Sequence, residues 1–207
     1  MNIIEGFRGI PTGNIADSQG FSGVMDAGIQ PLDRKMLVVG PALTCACTAG
    51  DNLTIHKAVL MAKPGDVLVV NCGGWQNSGV FGEMLALCCK AKGIAGVVID
   101  GSCRDSLELI TMGFPTYTRG VNPNGTIKET CGQVNGKILC GGVWVEAGDI
   151  IAADADGVVV VKAAEAPQVL EKACAKKSRE EQLRPLLMEG KSTAELLNLM
   201  DKIGSIR

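Results

Sequence analysis

The chain is poor in aromatic residues and in histidine. Aromatic side chains make up 3% of its 207 residues, and His56 is the only histidine. The formal net charge is −2, so the sequence offers no strongly basic stripe. Proteins that bind RNA or DNA usually combine basic surface with aromatic side chains that stack on bases. We therefore expect no nucleic-acid partner.

Long apolar runs are missing as well. No segment approaches the roughly 20 consecutive apolar residues that a membrane-spanning helix requires. Residues 1–13, MNIIEGFRGIPTG, lack the basic and apolar regions of a signal peptide. We therefore expect no membrane association and a cytoplasmic location. A chain of this length is expected to fold as one domain, residues 1–207, with a substantial core.

Cysteine is plentiful, but its spacing does not predict a metal or redox centre. The nine cysteines form no CxxC motif, and their number is odd. Most stand within apolar segments, where the thiol serves as a small hydrophobic group. Cys103 is the exception, because the neighbouring Arg104 is expected to lower the pKa of its thiol.

Apolar periodicity and turn residues predict an α/β fold with mixed strands in layers. The main predicted elements are helices over 13–25, 52–62, 84–92, 106–113 and 163–200, and strands over 36–48, 67–72 and 94–100. Between 120 and 162, short apolar runs alternate with NG, GG, AGD and DG turns, which predicts β-hairpins. We expect the charged C-terminal helices, about 163–207, to pack on a neighbouring subunit; packing on their own domain is the alternative.

The most informative spacing joins Glu83 to Arg104 and Asp105. The twenty intervening residues, 84–103, are predicted to form a helix, a tight turn and a buried strand. Because a helix and a strand so joined run antiparallel, the start of the helix and the end of the strand meet at one edge. We therefore expect the three side chains to share one rim.

The residue types at this rim suit a small 2-oxo acid chelated to a metal ion. Helix N-termini bind anions, and the glycine-rich segment 73–82 lets the backbone approach a ligand. The Arg104 guanidinium fits a carboxylate, while Glu83 and Asp105 offer hard oxygen ligands for Mg²⁺ or Mn²⁺. The alternative is a surface Arg–Asp pair with a glutamate favoured by the helix dipole.

Longer blocks of sequence resemble the RraA-like family, which includes 4-hydroxy-4-methyl-2-oxoglutarate aldolases and regulators of ribonuclease activity. The blocks are GDNLTIHKAVLMAKPGDVLVVNCGG, GVFGE, GIAGVVIDGSCRD, GFPTYTRG and AGDIIAADADGVVVV. The resemblance extends from about Ala16 to the C-terminal helix. It implies a layered α-β-β-α sandwich, similar to swivelling phosphohistidine domains, that assembles into homotrimers or homohexamers.

The resemblance also implies roles for the residues of the rim. Arg104 would grip the carboxylate of pyruvate, and Asp105 would ligate Mg²⁺ or Mn²⁺. Glu83 would hold a metal-bound water and relay protons; this chain departs from the family pattern, in which aspartate is common at that position. The backbone expected to line the oxo-acid pocket is that of Gly79, Val80, Phe81 and Gly82.

A further acid is implied from the C-terminal helix of the adjacent subunit. The candidate is Glu180, four residues before Arg184, because the family's acid precedes an Arg-x-x-Leu-x-x-Gly segment by four. Glu181 is the alternative. His56 stands where the family commonly has histidine, and we expect it to pack or to form a hydrogen bond rather than to act as a base. Asp100 is expected in a turn, without a ligand role.

Together these features predict a class II, metal-dependent pyruvate aldolase. It would act on 4-hydroxy-2-oxo acids with a second carboxylate, and oxaloacetate decarboxylation would be a side activity. The alternative is a non-catalytic regulator that binds a ribonuclease, although an intact set of Glu83, Arg104 and Asp105 argues against it. A methyltransferase is disfavoured, because no early GxGxxG strand-loop-helix is present.

Overall fold

The computed structural model describes residues 2–204. Its helices are α1 Ile3–Phe7, α2 Thr12–Ser18, α3 Leu53–Met61, α4 Glu83–Ala91, α5 Ser106–Met112, α6 Ala166–Met188, α7 Thr193–Leu196 and α8 Met200–Ile203. Its strands are β1 Gln30–Pro31, β2 Val38–Ala46, β3 Val67–Phe81, β4 Gly96–Cys103, β5 Thr116–Val121, β6 Ile138–Cys140, β7 Val143–Val145, β8 Ile150–Asp154 and β9 Gly157–Val161.

Seven strands form one mixed sheet in the order β1-β5-β4-β3-β2-β8-β9, and β6 pairs with β7. Strands β2, β3, β4 and β5 are parallel to one another, whereas β1, β8 and β9 join the sheet antiparallel. Strand β2 changes partner along its length: residues 38–41 pair with β8, and residues 42–46 pair with β3. This change lets the two parts of the sheet form separate layers.

Alternating side chains show how the layers stack. In β3, Leu68 packs towards α3, α4 and α5, whereas Val69 packs towards the antiparallel strands. In β8, Ile151 belongs to that same inter-strand core, while Ile150 packs against α1, α2 and α6. Because successive strand residues point to opposite faces, both β layers are covered on each side. The predicted α-β-β-α sandwich is confirmed.

The helix predicted over 13–25 ends early, at Ser18. Gly20 and Phe21 both adopt φ of 65°, in the left-handed region. A right-handed helix cannot continue through such residues, and for Phe21 this conformation is unusual. Turns therefore replace the second half of the predicted helix.

The glycine-rich segment 73–82 is largely the second half of strand β3 rather than a free loop. Its pairing with β4 continues to the end of both strands, with register shifts between Asn71 and Trp75, Trp75 and Gly79, and Gly79 and Phe81. Gly73 and Gly74 take φ of 63° and 75°, which only glycine adopts easily, so the strand can bulge here. The irregular strand delivers the chain directly to the start of α4.

Helix α6 buries side chains on its own chain only through its first half. Ala166, Val169 and Ala173 are buried against β8 and β9. Beyond Lys176 no residue of α6 is fully buried, and Met188 is 89% exposed. The contact of this region with a neighbouring subunit stays a prediction. None of the helices within residues 2–204 has both the length and the apolar character to cross a membrane.

Candidate functional site

The candidate site lies at the carboxyl ends of β3 and β4, where α4 and α5 begin. Strand β3 ends at Phe81 and α4 starts at Glu83; strand β4 ends at Cys103 and α5 starts at Ser106. In α/β folds, ligands bind outside the carboxyl ends of parallel strands. The short connections after the two strands therefore carry the polar groups of the site.

Glu83, Arg104 and Asp105 meet at this edge, as their spacing predicts. The backbone N–H of Glu83 donates to Oδ2 of Asp105 at 3.0 Å, and Nε of Arg104 lies 3.5 Å from the same oxygen. Asp105 has φ of 54°, a left-handed conformation that aspartate tolerates better than most residues. The structure shows the convergence, and the catalytic roles of the three residues stay predictions.

Two glycines make this convergence sterically possible. A Cβ at Gly82 would lie 2.4 Å from Oδ2 of Asp105 and 2.9 Å from Cγ of Arg104. A Cβ at Gly79 would lie 2.5 Å from Cβ of Arg104. Gly82 has φ of −146°, which any residue can adopt, so space rather than backbone conformation requires glycine there. The loop after β4 can therefore pack directly on the end of β3.

A cavity of about 200 Å³ opens beside Arg104. It is lined by Asn52 and His56 of the α3 region, by Gly79, Val80, Gly82, Met84 and Leu85 at the β3–α4 junction, and by Gly125, Thr126 and Lys128 after β5. Three parts of the chain thus enclose one small space. Two cationic side chains, Arg104 and Lys128, face it, so an anionic ligand is electrostatically favoured.

The prediction for Phe81 concerns its backbone, and its side chain lies away from the cavity. Gly79, Val80 and Gly82 line the cavity, but the Phe81 ring is fully buried and stacks on Phe114 with 6.0 Å between ring centroids. The Phe81 side chain therefore belongs to the core rather than to the pocket.

The free backbone donors at the start of α4 are those of Met84 and Leu85, which follow directly after the predicted segment. The N–H groups of Gly79 and Glu83 already donate to protein acceptors. Those of Met84 and Leu85 come before the first hydrogen bond of α4, which starts at the N–H of Ala86. The N-cap residue Gly82 has no side chain, and of the N–H groups that the structure describes, the Asp105 carboxylate accepts only that of Glu83. The start of α4 therefore offers unpaired donors and positive partial charge to an anion in the cavity.

The segment over 122–135 closes one side of the cavity, and the buried Asp51 fixes it in place. Oδ2 of Asp51 accepts hydrogen bonds from the N–H groups of Glu129 and Thr130 at 2.9 and 2.7 Å. Oδ1 accepts from the N–H of Leu53 at 2.8 Å. These backbone hydrogen bonds, that from Leu53 first, lower the pKa of Asp51. The carboxylate therefore stays charged and holds the loop to the start of α3.

Two buried polar atoms in the cavity wall have no hydrogen-bond partner in the described part of the chain. They are Oδ1 of Asn52 and Nε2 of His56. The predicted hydrogen bond of the imidazole is thus not seen at Nε2. Burial, and secondarily the charge of Lys128, lower the pKa of His56, so the imidazole is neutral at pH 7. The sequence pattern indicates His56 as a candidate site residue, but it does not indicate Asn52 or Lys128.

Cys103 and Asp100 differ from what the sequence predicts. The Cys103 thiol is fully buried, and this burial raises its pKa to about 11, so Arg104 does not activate it. Asp100 lies inside strand β4 rather than in a turn. It receives a hydrogen bond from Nε of Arg119, and its Oδ2 accepts from the N–H of Gly141 at 2.8 Å. Both side chains therefore stabilise the fold rather than face a ligand.

Glu180 does not reach the cavity within one chain. Its Oε2 accepts from Nδ2 of Asn14 at 2.8 Å, and its Oε1 lies 3.3 Å from Nζ of Lys176. This helix layer lies across both β layers from α4. The alternative, Glu181, is a surface residue with Lys177 Nζ at 3.9 Å. Either acid can serve the site only from a second subunit, which stays a prediction.

The acids at the rim suit a hard divalent cation. Oδ1 of Asp105 and the carboxylate of Glu83 receive no hydrogen bond within residues 2–204, so both can accept a ligand. The same part of the chain contains no cluster of three or more His, Cys, Asp or Glu side chains arranged for a metal. One chain thus offers few ligands, which fits an ion such as Mg²⁺ that keeps several waters.

A larger cleft lies elsewhere, at the amino ends of β2 and β4. It has a volume of about 430 Å³ and an apolar lining that includes Leu37, Val39 and Ala95. Its carboxylate, Asp154, is already used, since both oxygens accept hydrogen bonds from Thr12. Size alone therefore does not identify the functional site, whereas unpaired polar groups favour the smaller cavity.

Comparison with known proteins agrees with this assignment of the fold. The family model described as Aldolase/RraA, RraA-like, matches residues 12–160. A Halalkalibacterium halodurans protein that carries the provisional name 4-hydroxy-4-methyl-2-oxoglutarate aldolase is 38% identical over 181 residues, which cover 87% of this chain and 86% of that protein.

Two solved structures show the same architecture. RraAS2 of Streptomyces coelicolor, described as an unusual member of the RNase ES inhibitor RraA protein family, superposes with a TM-score of 0.79 at 27% identity, covering 88% of this chain and 96% of that one. An uncharacterized protein from Pseudomonas syringae pv. tomato gives a TM-score of 0.87 at 22% identity, covering 96% and 93%. The chain belongs to the RraA-like family.

Proposed function

We propose that this protein is a divalent-metal-dependent pyruvate aldolase. Its substrates would be 4-hydroxy-2-oxo acids with a second carboxylate, of the 4-hydroxy-4-methyl-2-oxoglutarate type, which it cleaves to pyruvate and a second oxo acid. The observation that carries this proposal is the convergence of Glu83, Arg104 and Asp105 beside a cavity with unpaired helix N–H groups. The provisional names of relatives support the same reaction.

Arg104 and the start of α4 bind the part of the substrate that becomes pyruvate. The Arg104 side chain is 44% exposed, and only its Nε approaches Asp105, so its terminal nitrogens can hold a carboxylate. The N–H groups of Met84 and Leu85 can donate to the oxygen on which negative charge develops as the C3–C4 bond breaks. These fixed donors stabilise the enolate form of the product.

Asp105 and Glu83 would hold the divalent cation, Asp105 directly and Glu83 through water. When bound, such an ion acts as a Lewis acid towards a 2-oxo acid. The hydrogen bond from the Glu83 N–H occupies one oxygen of the Asp105 carboxylate and leaves the other free for a ligand. Glu83 can position a proton-carrying water, and Glu180 of the partner subunit would assist in a homotrimer or homohexamer.

Oxaloacetate decarboxylation follows from the same groups. Loss of CO₂ from oxaloacetate produces the enolate of pyruvate, which is also the product of aldol cleavage. Stabilisation by Arg104 and the α4 N–H groups therefore serves both reactions. We propose this decarboxylation as a side activity, in a cytoplasmic enzyme.

The test is pyruvate release, followed through coupled lactate dehydrogenase with Mg²⁺ present. Candidate 4-hydroxy-2-oxo diacids and oxaloacetate are compared for the wild type, Arg104→Ala and Asp105→Ala. We expect turnover by the wild type and loss of at least about 100-fold in each variant, the scale seen when one charge-stabilising group is removed. Wild-type rates in either variant would refute the site.

Lys128 provides a second mechanistic check, because a lysine in the cavity offers an amine for a Schiff base. We expect EDTA to abolish pyruvate release and borohydride to leave the protein mass unchanged in the presence of pyruvate. Full activity in EDTA together with a reduced pyruvyl adduct on Lys128 would replace the metal mechanism with a Schiff-base mechanism.

A regulator of ribonuclease is the second candidate function. It is favoured by one observation, the likeness to solved structures that are described as inhibitors of RNA-processing enzymes. Such a protein would act through its surface and would need no anion pocket. Inhibition of a ribonuclease by the protein, with no turnover of any 2-oxo acid, would favour this function.

A further inference from the structure

Asn52 and His56 line the same cavity as Arg104, and each has a buried polar atom without a hydrogen-bond partner among the described residues. Asn52 is the N-cap of α3, and His56 follows four residues later, so both lie on one face of the helix. Both line the cavity, and both Oδ1 of Asn52 and Nε2 of His56 are buried without a partner within residues 2–204. Buried polar atoms are normally paired, so this part of the cavity wall suits a ligand that donates hydrogen bonds.

The orientation of the Asn52 amide is determined by its surroundings. Its Nδ2 donates to the buried carbonyl oxygen of Val80 at 3.0 Å. If the amide were reversed, two oxygens would face each other without a proton, at the cost of a buried unpaired acceptor. Oδ1 is therefore fixed as a hydrogen-bond acceptor in the cavity.

His56 can serve as the second acceptor, and unlike Asn52 it can also accept a proton. Burial and Lys128 keep the imidazole neutral, so in the Nδ1–H tautomer Nε2 carries a lone pair. The cations that share the cavity, Arg104 and Lys128, disfavour imidazolium while the cavity holds no anion. A substrate with two carboxylates would offset both charges, which makes His56 a better proton acceptor when substrate is bound.

We propose that Asn52 and His56 bind the 4-hydroxyl group of the substrate, and that Nε2 of His56 takes the hydroxyl proton during cleavage. This inference rests on the proposed aldolase function. The proposal explains why Asn52 and His56 offer hydrogen-bond acceptors, because the 4-hydroxyl is the neutral hydrogen-bond donor of a 4-hydroxy-2-oxo diacid. Asn52 positions the hydroxyl, and His56 is the base.

The step is balanced. The O–H bond breaks as its proton moves to Nε2, and the O–H electron pair forms the C4=O bond of the leaving oxo acid. The C3–C4 electron pair forms a C2=C3 double bond, and the C2=O π pair moves onto the oxygen to give the enolate of pyruvate beside Arg104. The enolate then takes one proton at C3, His56 returns its proton to the pool, and the imidazole is neutral again.

Oxaloacetate separates this role from a structural one. Its C4 is a carboxylate, so its decarboxylation forms the same enolate without deprotonating a hydroxyl. His56→Gln and His56→Phe should therefore reduce kcat for aldol cleavage by about 10²- to 10⁴-fold, the usual contribution of a positioned base. Oxaloacetate decarboxylation should stay close to the wild-type rate in both variants. Lys57→Ala, at an exposed position next to His56 on α3, is the control.

Oxalate provides a readout that does not depend on turnover. It resembles the oxo-acid end of the substrate and has no hydroxyl donor. We expect the Kd of oxalate with Mg²⁺ to be unchanged in His56→Gln, which would show an intact cavity. Addition of imidazole to His56→Gly should restore part of the aldol cleavage and leave decarboxylation unaffected.

The outcomes are distinct. Selective loss of aldol cleavage supports the assignment. Parallel loss of both reactions, or no loss of either, overturns the role of His56 while the aldolase function stands. Absence of both reactions in the wild type overturns the proposed function, and this inference with it.

Discussion

The backbone N–H of Glu83 donates to Oδ2 of Asp105 at 3.0 Å, although the two residues are separated by a helix and a strand. One oxygen of Asp105 thus anchors the start of α4, and the other is left for a ligand. The site and the fold are therefore coupled through one carboxylate. A useful substitution of Asp105 keeps the hydrogen bond to the start of α4 and removes only the binding of a ligand.

Asp105→Asn is expected to keep the fold and lose the activity. The amide oxygen can still accept from Glu83, and asparagine also tolerates the left-handed φ of 54°. The negative charge needed for a divalent cation is gone. Pyruvate release should fall by at least about 100-fold, while circular dichroism and the Tm stay near those of the wild type. Retained Mg²⁺-dependent activity would contradict a ligand role for Asp105.

Gly82→Ala is expected to impair the site by crowding it. The added Cβ would lie 2.4 Å from Oδ2 of Asp105, so the carboxylate and Arg104 must move. A displacement of about 1 Å can reduce kcat by about 100-fold. Gly13→Ala is the matched control, because nothing lies within 4 Å of its added Cβ and it stands in helix α2. That change should raise stability by about 0.5–1 kcal/mol and leave kcat unchanged; equal effects of the two would argue against crowding.

Asp51→Asn is expected to loosen the wall of the cavity. A single carboxylate holds three backbone N–H groups, including those of Glu129 and Thr130, and an amide can replace only part of this set. Hydrogen exchange at Glu129 and Thr130 should accelerate, and oxalate should bind more weakly. Asp66→Asn, which alters a single surface turn contact with Lys63, is the control. Unchanged exchange in Asp51→Asn would show that the loop is held by other contacts.

The hold of the Asp51 carboxylate on the loop over 122–135 is expected to weaken in acid. Hydrogen bonds to the carboxylate lower the pKa of Asp51 in the folded protein. Its contribution to stability is therefore fully present above the ordinary value of 3.8 and is lost as the pH falls through the lower folded pKa. Loop protection measured by hydrogen exchange should decline in acid below that value. A decline centred near neutral pH would assign the anchor to another group.

Arg119→Met tests the buried ion pair that joins β4 to β5. The Arg119 side chain is 20% exposed, and that of its partner Asp100 is 10% exposed. Removing the arginine leaves a buried carboxylate, which should destabilise the protein by about 3 kcal/mol. The exposed pair of Arg8 with Glu5 is the control: Arg8→Ala should cost less than about 1 kcal/mol. Urea denaturation compares the two, and equal values would mean that burial does not govern the pair.

The fold could be predicted where a single physical pattern dominates. Continuous apolar runs bounded by turn residues predicted the buried strands, and the helix–turn–strand spacing placed Glu83 beside Arg104 and Asp105. The strand over 73–81 was missed because its glycines look like a loop, yet pairing with β4 continues across the bulges. Local composition does not reveal a partner strand.

The site was only partly predictable for a related reason. Lys128 comes from a segment without periodicity, and the buried Asp51 holds that loop in place. Asn52 stands at the start of a predicted helix, but its hydrogen bond to Val80 at the end of β3 is a long-range contact. Phe81 lies in the predicted lining segment, but its ring is buried in the core against Phe114. Side-chain direction and long-range loop contacts depend on tertiary structure, which spacing alone does not encode.

The central claim is that Asp105 and Arg104 together bind a metal-chelated oxo acid. Crystals soaked in Mn²⁺ and oxalate test it directly, because manganese is located by its anomalous scattering. We predict a manganese peak at the Asp105 carboxylate, with oxalate bound between the ion and the Arg104 guanidinium. A peak elsewhere, or oxalate bound with no ion at Asp105, would contradict the account.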